Sequence, residues 1–240
     1  MKIFTFIFLF TILFTTGAKS QKTIKGSGYI LTQQREVATY NSIEVNGPLR
    51  IFATPDEVRP VIIETDNNLF PYIKTEVRHD TLRIFIDPEV YIETFAVMNI
   101  FLSTPNISNL KAKNRATIDG SRTPWKNKTT TIEAHAGTRI KWHVETSVLN
   151  VKAIGNTVIT LNGNADIFNL ELDQGALLAA GELKTKQAAV AITGMSSKAT
   201  LDVSGSISYD LSQKARLIYK GTPEILKANI SSGAKVNRKK

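Results

Sequence analysis

The sequence predicts an all-β protein, built as a parallel β-helix-like stack of coils of about 19–20 residues and capped by an irregular N-terminal β region. Two observations predict this fold. A glycine mark recurs through the second half of the chain, and a short strand with alternating apolar and polar residues follows each mark. Self-similarity at such a short period is typical of stacked units that bury their apolar faces against one another.

Residues 1–20 are predicted to be a signal peptide that does not belong to the fold. Lys2 precedes an apolar run over residues 3–14, and Ala18 and Ser20 occupy the small-residue positions of a cleavage site before Gln21. The run is shorter than the roughly 20 residues that span a bilayer. We therefore expect an exported chain with no integral membrane segment after cleavage, located in the periplasm, on the outer-membrane surface or outside the cell.

Residues 21–240 are expected to form a single domain in two parts. Residues 23–111 lack the regular glycine mark, and they are predicted to form a meander that caps the open end of the stack, because terminal units of repeat proteins are atypical. A strand over residues 97–102 leads into the regular coils of residues 112–237. The predicted strands of the cap lie near residues 40–45, 49–52, 60–64, 73–77 and 82–86.

The recurring glycines are predicted to be the structural corners of the coils. A corner needs positive φ or close approach to the coil below, and glycine accepts both without a steric penalty from a Cβ atom. The Gln213-Lys214 pair stands where a glycine is expected, so this corner should be built differently. The predicted glycine corners are Gly137, Gly155, Gly175, Gly194 and Gly233.

A mostly apolar column stands three residues beyond these marks and is predicted to be a buried ladder. A β-sandwich of antiparallel hairpins is the alternative, since it also gives short strands at regular spacing. Only Asn46-Gly47 and Asn162-Gly163 supply the turn pair that such hairpins favour. The column consists of Ile140, Val158, Leu178, Ser197, Leu217 and Val236.

Charge and cysteine content exclude several classes of protein. After residue 20 the chain holds 28 basic and 21 acidic residues, a formal charge of +7, which permits attraction to anionic partners. The basic residues are scattered singly and do not interleave with aromatic residues as in a nucleic-acid module, so no nucleic-acid partner is expected. The chain has no cysteine, which excludes disulfides and thiolate metal sites.

No catalytic, metal or cofactor site is predicted. Glu145, Glu182 and Asp202 lie seven or eight residues past their own corners and could form an acidic ladder, although solvated surface is the simpler interpretation. His135 and His143 lack the ligand spacing of a zinc site, as does the third histidine of the chain. No Gly-x-Ser-x-Gly nucleophile elbow is present.

One coil is longer than the others, about 22 residues, and carries the best candidate for a ligand contact. Its extra segment holds Trp125, predicted to be exposed, with Arg122, Lys126 and Lys128 around it. Insertions on a rigid scaffold often carry recognition. The other tryptophan of the chain, Trp142, and Tyr219 share an inward parity with apolar neighbours and are predicted to be core residues.

Several phrases of the sequence together resemble the bacterial head GIN domain family, described as auto-transporter adhesins. They are Gly26-Ser27-Gly28, the stretches over residues 43–47 and 64–69, the Thr104-Pro105 pair and the repeated glycine corners. The resemblance covers nearly all of residues 26–237. It implies a right-handed, pectin-lyase-like coil, export in Bacteroidetes-type bacteria, and a role in cell adhesion with no established catalytic residues.

The function predicted from these observations is that of a non-catalytic, exported envelope or cell-surface protein, an adhesion or interaction scaffold. Its expected partner is a cell-surface or glycan ligand of unknown identity, and homo-oligomerisation is left open. A sensor module in envelope signalling and a carbohydrate-active enzyme on a pectin-lyase-like coil are the two alternatives.

Overall fold

A computed structural model describes residues 21–93 and 96–239 of the chain. The predicted signal peptide, residues 1–20, lies outside these described residues. One turn of 3-10 helix, Phe70–Tyr72, is the helical element within them. The strands are β1 (Lys22–Ile24), β2 (Ile30–Arg35), β3 (Ser42–Asn46), β4 (Arg50–Thr54), β5 (Val61–Asp66), β6 (Ile73–Arg78), β7 (Thr81–Ile86), β8 (Val90–Ile92), β9 (Met98–Ser103), β10 (Asn109–Lys113), β11 (Thr117–His135), β12 (Arg139–Ile154), β13 (Val158–Asp173), β14 (Leu177–Ile192), β15 (Lys198–Leu211), β16 (Arg216–Lys220), β17 (Glu224–Ile230) and β18 (Lys235–Arg238).

The strands form a β-solenoid of about seven turns that repeat at intervals of about 19 residues, as the sequence predicts. Successive coils pair in parallel, so one ladder runs through β10, β11, β12, β13, β14, β15, β16 and β18. Near its middle, each of β12, β13 and β14 leaves one residue unpaired, such as Ser147 in β12 and Asp166 in β13, and β15 leaves two, Ser204 and Gly205. These unpaired residues mark a second bend in the coils.

All five predicted glycine corners have positive φ, between 75° and 82°. A Cβ on Gly194 would lie 2.5 Å from the backbone nitrogen of Gln174, which explains why this corner needs glycine. The expectation that the Gln213-Lys214 corner is built differently is wrong. Gln213 and Lys214 adopt φ of 54° and 63°, and the Lys214 N–H donates to the Ser232 carbonyl of the next coil. The same turn therefore forms without glycine, at the modest cost that L-residues incur in this region.

The buried ladder exists, but two of its predicted members are wrong. Val158 and Ser197 do not lie in the column, because the glycine does not hold the same place in every corner. Gly155 is the first residue of its positive-φ pair, and the corner after Gly194 extends to Ser196, so the inward position falls four and five residues later. The aligned residues are Ile140, Ile159, Leu178, Ala199, Leu217 and Val236.

The residue that directly follows each corner is small and buried, and Ser197 belongs to this second column. A small side chain is needed there because the chain turns inward against the coil below. The Thr138 hydroxyl donates to the His135 carbonyl across one corner at 2.6 Å, and the Ser197 hydroxyl accepts the Gly175 N–H at 3.1 Å. The column consists of Ala116, Thr138, Thr157, Ala176, Ser197, Ala215 and Ala234.

Most of the N-terminal strands are hydrogen-bonded into the solenoid, whereas the predicted meander would only cap its end. All five predicted strands form, but β3 pairs in parallel with β7 and β10, and β4 pairs in parallel with β9 and β11. Among the described strands, antiparallel pairing is confined to β2 with β5, β5 with β9, and β6 with β7. The strands β5, β9, β4 and β11 therefore lie side by side on one face of the solenoid.

Neighbouring leucines at the start of β14 test the register of the coils. Leu178 is 3% exposed and contacts the interior, whereas Leu177 is 41% exposed. We expect Leu178→Ala to lower the free energy of unfolding by about 2–5 kcal/mol, because its aligned neighbours above and below cannot close the resulting cavity. Leu177→Ala should cost under about 1 kcal/mol. Urea denaturation of the two variants measures both values, and equal losses would contradict the register.

Candidate binding cleft

An outward column of side chains changes from apolar to charged where the N-terminal strands meet the first regular coils. Strand pairing aligns Ile62 with Phe101, Phe101 with Phe52, Phe52 with Asp119, and Asp119 with Lys141. The Phe52 and Phe101 rings stack with centroids 5.2 Å apart and planes 16° from parallel. Phe101 remains 38% exposed. The column therefore offers an aromatic strip beside charged groups at the surface.

Two segments that depart from the regular coil flank this strip and form the walls of a cleft. Residues 55–60 connect β4 to β5 on one side, and residues 121–124 bulge from β11 on the other. Between them lies a cleft of about 450 Å³ lined by the two phenylalanines, Asp56, Arg59, Pro60, Ile62, Asp119, Arg122 and neighbouring polar residues of β4 and β9. Its volume is within the range of about 300–1,000 Å³ that is usual for small-ligand sites.

The bulge is anchored by a pair of tryptophans in the core. Gly120 aligns with Trp142 and Trp125 with Val144, so four residues of β11 lie opposite a single residue of β12. The Trp125 ring then stacks on Trp142 with centroids 4.7 Å apart, and its Nε1–H donates to the Gly120 carbonyl at 3.1 Å. A Cβ on Gly120 would overlap the Trp142 ring, so glycine at this position makes room for the pair.

The expectation that Trp125 is an exposed contact residue is wrong, because its side chain is 0% exposed. An insertion of this kind changes the in-out alternation, and the sequence does not show where the alternation resumes. The four candidate residues are also not brought together. Lys126 points outward and pairs with Glu145 at 3.6 Å, and Lys128 is exposed at the second bend of its coil. Of the four, Arg122 lines the cleft.

Arg122 is exposed and, within residues 21–93 and 96–239, forms neither a hydrogen bond nor an ion pair. The other arginine of the cleft, Arg59, has an exposed ion pair with Asp56 at 3.4 Å, an arrangement worth little in water. The cleft thus presents two guanidinium groups that a ligand can engage with little loss of internal bonding.

Asp119 is held in its ionised form at the edge of the aromatic strip. Burial by itself would raise the pKa of its carboxyl group. The Ser121 hydroxyl and N–H both donate to Oδ1, at 2.6 and 3.1 Å, and together with the positive charges of Lys141 and Arg122 they lower the pKa below its ordinary value of 3.8. Oδ2 receives no hydrogen bond from the described part of the chain, so it is available to a donor on a ligand.

The acidic residues of the regular coils do not form a ladder. Strand pairing aligns Glu145 with Asn164, Asn164 with Lys184, and Lys184 with Asp202, so an amide and an ammonium separate the two carboxylates. Glu182 and Asp202 instead share Lys220, at 3.8 and 3.3 Å. No group of three residues able to hold a metal ion occurs among the described residues.

Trp142 and Tyr219 lie in the core, and His135 lies at the surface. Trp142 and Tyr219 are 0% and 6% exposed, which confirms their predicted core positions. His135 lies 4.0 Å from Glu133; burial lowers the pKa of its imidazole, and the charge of Glu133 acts in the opposite direction. Its surroundings are those of a half-buried surface residue.

The sequence matches a known family over residues 39–223, more than half of the chain. That family is described as "Putative auto-transporter adhesin, head GIN domain". The chain belongs to this family. None of the curated proteins matches it. Among the described residues of this head GIN domain, no helix is both long and apolar enough to cross a membrane.

Solved structures share the fold of this head GIN domain at low sequence identity. One, described as a "putative adhesin" from Bacteroides fragilis NCTC 9343, is 21% identical, covers 90% of this chain and 99% of its own, and has a TM-score of 0.82. A "putative adhesin" from Parabacteroides distasonis ATCC 8503 is 20% identical, covers 91% of this chain and 100% of its own, and has a TM-score of 0.75. A "putative lipid binding protein" from the same strain is 19% identical, with the same coverage and a TM-score of 0.72.

Sequence reasoning missed the aromatic strip of the head GIN domain. Phe52 and Phe101 each follow a buried isoleucine, Ile51 and Ile100, so outward parity could have been assigned to both. Their contact could not be assigned, because the pairing of β4 with β9 joins residues 49 positions apart in the sequence.

Trp125 and Arg122 are expected to respond very differently to truncation. Trp125→Ala removes half of a buried stacked pair and should cost about 3–5 kcal/mol of unfolding free energy. Arg122→Ala removes an exposed, unbonded side chain and should change the free energy of unfolding by no more than about 0.5 kcal/mol. Chemical denaturation compares the two variants, and a small loss for Trp125→Ala would contradict the anchoring role.

The hydrogen bonds of Ser121 are expected to set the titration of Asp119. Ser121→Ala removes the hydroxyl donor to the ionised form, so the pKa of Asp119 should rise. The depressed pKa stabilises the fold above the ordinary value of 3.8, and this contribution is lost as the pH falls through the folded value. Side-chain carboxyl NMR titration measures the change, with Thr123→Ala in the same bulge as the control. An unchanged pKa in Ser121→Ala would contradict the assignment.

Proposed function

We propose that this head GIN domain is an exported, non-catalytic adhesion protein, in which the solenoid is a rigid support and the cleft is the contact site for a cell-surface glycan. The observation that carries the proposal is the cleft itself. It places a stacked aromatic pair between two arginines, one of which has no bonded partner among the described residues. Such a surface has both polar and apolar groups available to a ligand.

The support for the cleft is stiff. Its floor lies on β4, β9 and β11, which are hydrogen-bonded into the main sheet, and the bulge that carries Arg122 is fixed from below by the tryptophan pair. A site built on strands keeps its geometry better than a site built on free loops. A contact that must resist dissociation benefits from this rigidity, because little conformational entropy is lost on binding.

Two observations favour binding over catalysis. Several carboxylates of the regular coils form ion pairs with lysines, as in Lys152–Glu171 at 2.8 Å and Lys186–Asp166 at 2.8 Å. In the cleft, the pKa of Asp119 is lowered, whereas a glycoside hydrolase needs one carboxylic acid whose pKa is raised. Both observations are consistent with a binding protein. The predicted signal peptide supports export, and the family description supports an adhesive role.

Binding to cells tests the proposal. The double variant Arg122→Glu, Phe101→Ser should bind intact bacterial or host cells at least about tenfold more weakly than the unchanged protein, because it reverses one charge and removes half of the aromatic strip. Flow cytometry with fluorescently labelled protein measures this. Raising the ionic strength should also weaken binding of the unchanged protein, since exposed charges are screened.

Arg139→Glu is the matched control. Arg139 is exposed at the start of β12 on the same face and does not line the cleft, so the same charge reversal there should leave cell binding near that of the unchanged protein. Equal binding by all three proteins would remove the cleft from the proposed function. Release of reducing sugar from the cells would contradict the absence of catalysis.

A further inference from the structure

The charges of the cleft favour one class of ligand group. Arg122 and Arg59 line the cleft together, and a guanidinium is well shaped to hold a carboxylate through two parallel hydrogen bonds. Arg122 has no bonded partner among residues 21–93 and 96–239, and Arg59 has an exposed partner that can be exchanged at small cost. An anionic group on the ligand would supply the bonds that the arginines lack.

The cleft also contains hydrogen-bond acceptors. An anionic group has no donor for them, so the ligand must carry donors as well. Oδ2 of Asp119 receives no hydrogen bond from the described residues. The hydroxyls of Thr54 and Ser103 also line the cleft; they donate to the Leu102 and Glu57 carbonyls and can still accept a hydrogen bond. Phe52 and Phe101 supply apolar surface between the acceptors and the arginines. The ligand therefore needs one carboxylate, several hydroxyl donors and one apolar face within a space of about 450 Å³.

We infer that the cleft binds a carboxylated sugar residue, such as a uronic or sialic acid within a cell-surface glycan; this rests on the proposed adhesive function. The carboxylate lies against Arg122, a hydroxyl donates to Asp119, and the C–H face of the ring packs on the apolar surface of Phe101. A sugar ring carries all three kinds of group on one rigid frame, which keeps the entropic cost of binding low.

A lipid fits the same cleft less well. An acyl chain would gain from the two phenylalanines, but it would also cover Oδ2 of Asp119 without offering it a hydrogen bond. Removing a charged oxygen from water without a hydrogen-bond partner is costly, and contact between the acyl chain and the rings would have to offset that cost. The anionic headgroup of a phospholipid could reach the arginines, so lipid is included as a competing ligand in the test.

Isothermal titration calorimetry with defined sugars tests the inference. The probes are tetragalacturonate, a hyaluronan tetrasaccharide and sialyl-lactose, each paired with its carboxyl-reduced counterpart. At least one acidic probe should bind about 10- to 100-fold more tightly than its reduced counterpart, since a hydrogen bond to a charged group has an effect of that size. Vesicles of phosphatidylcholine with one fifth phosphatidylglycerol are the lipid probe, and they should not compete with the sugar.

Variants show whether the difference arises in the cleft. Arg122→Gln should remove most of the preference for the acidic sugar while leaving the reduced sugar unchanged, and Phe101→Thr should weaken both sugars. Arg139→Gln should change neither, because Arg139 lies outside the cleft. Circular dichroism of each variant checks that the solenoid remains folded.

The outcomes separate the two proposals. If the cleft variants lose cell binding but no acidic sugar is preferred over its reduced form, the inference is wrong and the adhesive function stands. Binding of the anionic vesicles that Arg122→Gln weakens, together with no binding of any sugar, would assign the cleft to lipid and also overturn the inference. Preference for an acidic sugar that Arg122→Gln does not alter would place the sugar elsewhere and overturn it as well.

Discussion

Parallel hydrogen bonding between successive coils is the interaction on which the rest of this structure depends. Each coil supplies the partner for the next, at the strand spacing of about 4.8 Å, so a side chain is stacked on the equivalent side chain of its neighbours wherever the register is unbroken. Inward columns such as Ile159, Leu178 and Ala199 then form one continuous core. No single coil could bury its apolar face alone, and the stability of any one position depends on the coils on either side.

The corners show which part of this arrangement tolerates variation. Two residues with positive φ turn the chain at most corners, and glycine is required only where a Cβ would collide, as at Gly194. Gln213 and Lys214 build the same turn at a small conformational cost. The repeat is therefore kept by the backbone geometry of the corner and by the small residue that follows it, while the residue type at the corner itself can change.

The candidate site arises where the repeat is interrupted. Extra residues after Gly120 force the chain out of the ladder, and the Trp125–Trp142 stack returns it to the core. The bulge that results stands beside the segment between β4 and β5, and the two enclose the stacked Phe52 and Phe101. Residues of both departures line the cleft. Trp125, predicted to be a ligand contact, instead holds the bulge beside the cleft in place.

The sequence by itself determined the coil stack, because a 19-residue glycine period and alternating apolar residues are local properties that can be counted along the chain. It also determined the inward parity of Leu178, Trp142 and Tyr219, since parity holds wherever the strand is uninterrupted. Only the tertiary structure decided the position of Trp125, because an insertion resets the alternation. It also decided the pairing of β4 with β9, which brings Phe52 to Phe101, and the pairing of β4 with β11, which brings Arg122 to the same cleft. Pairing between distant strands is fixed by packing of the whole core and leaves no local pattern in the sequence.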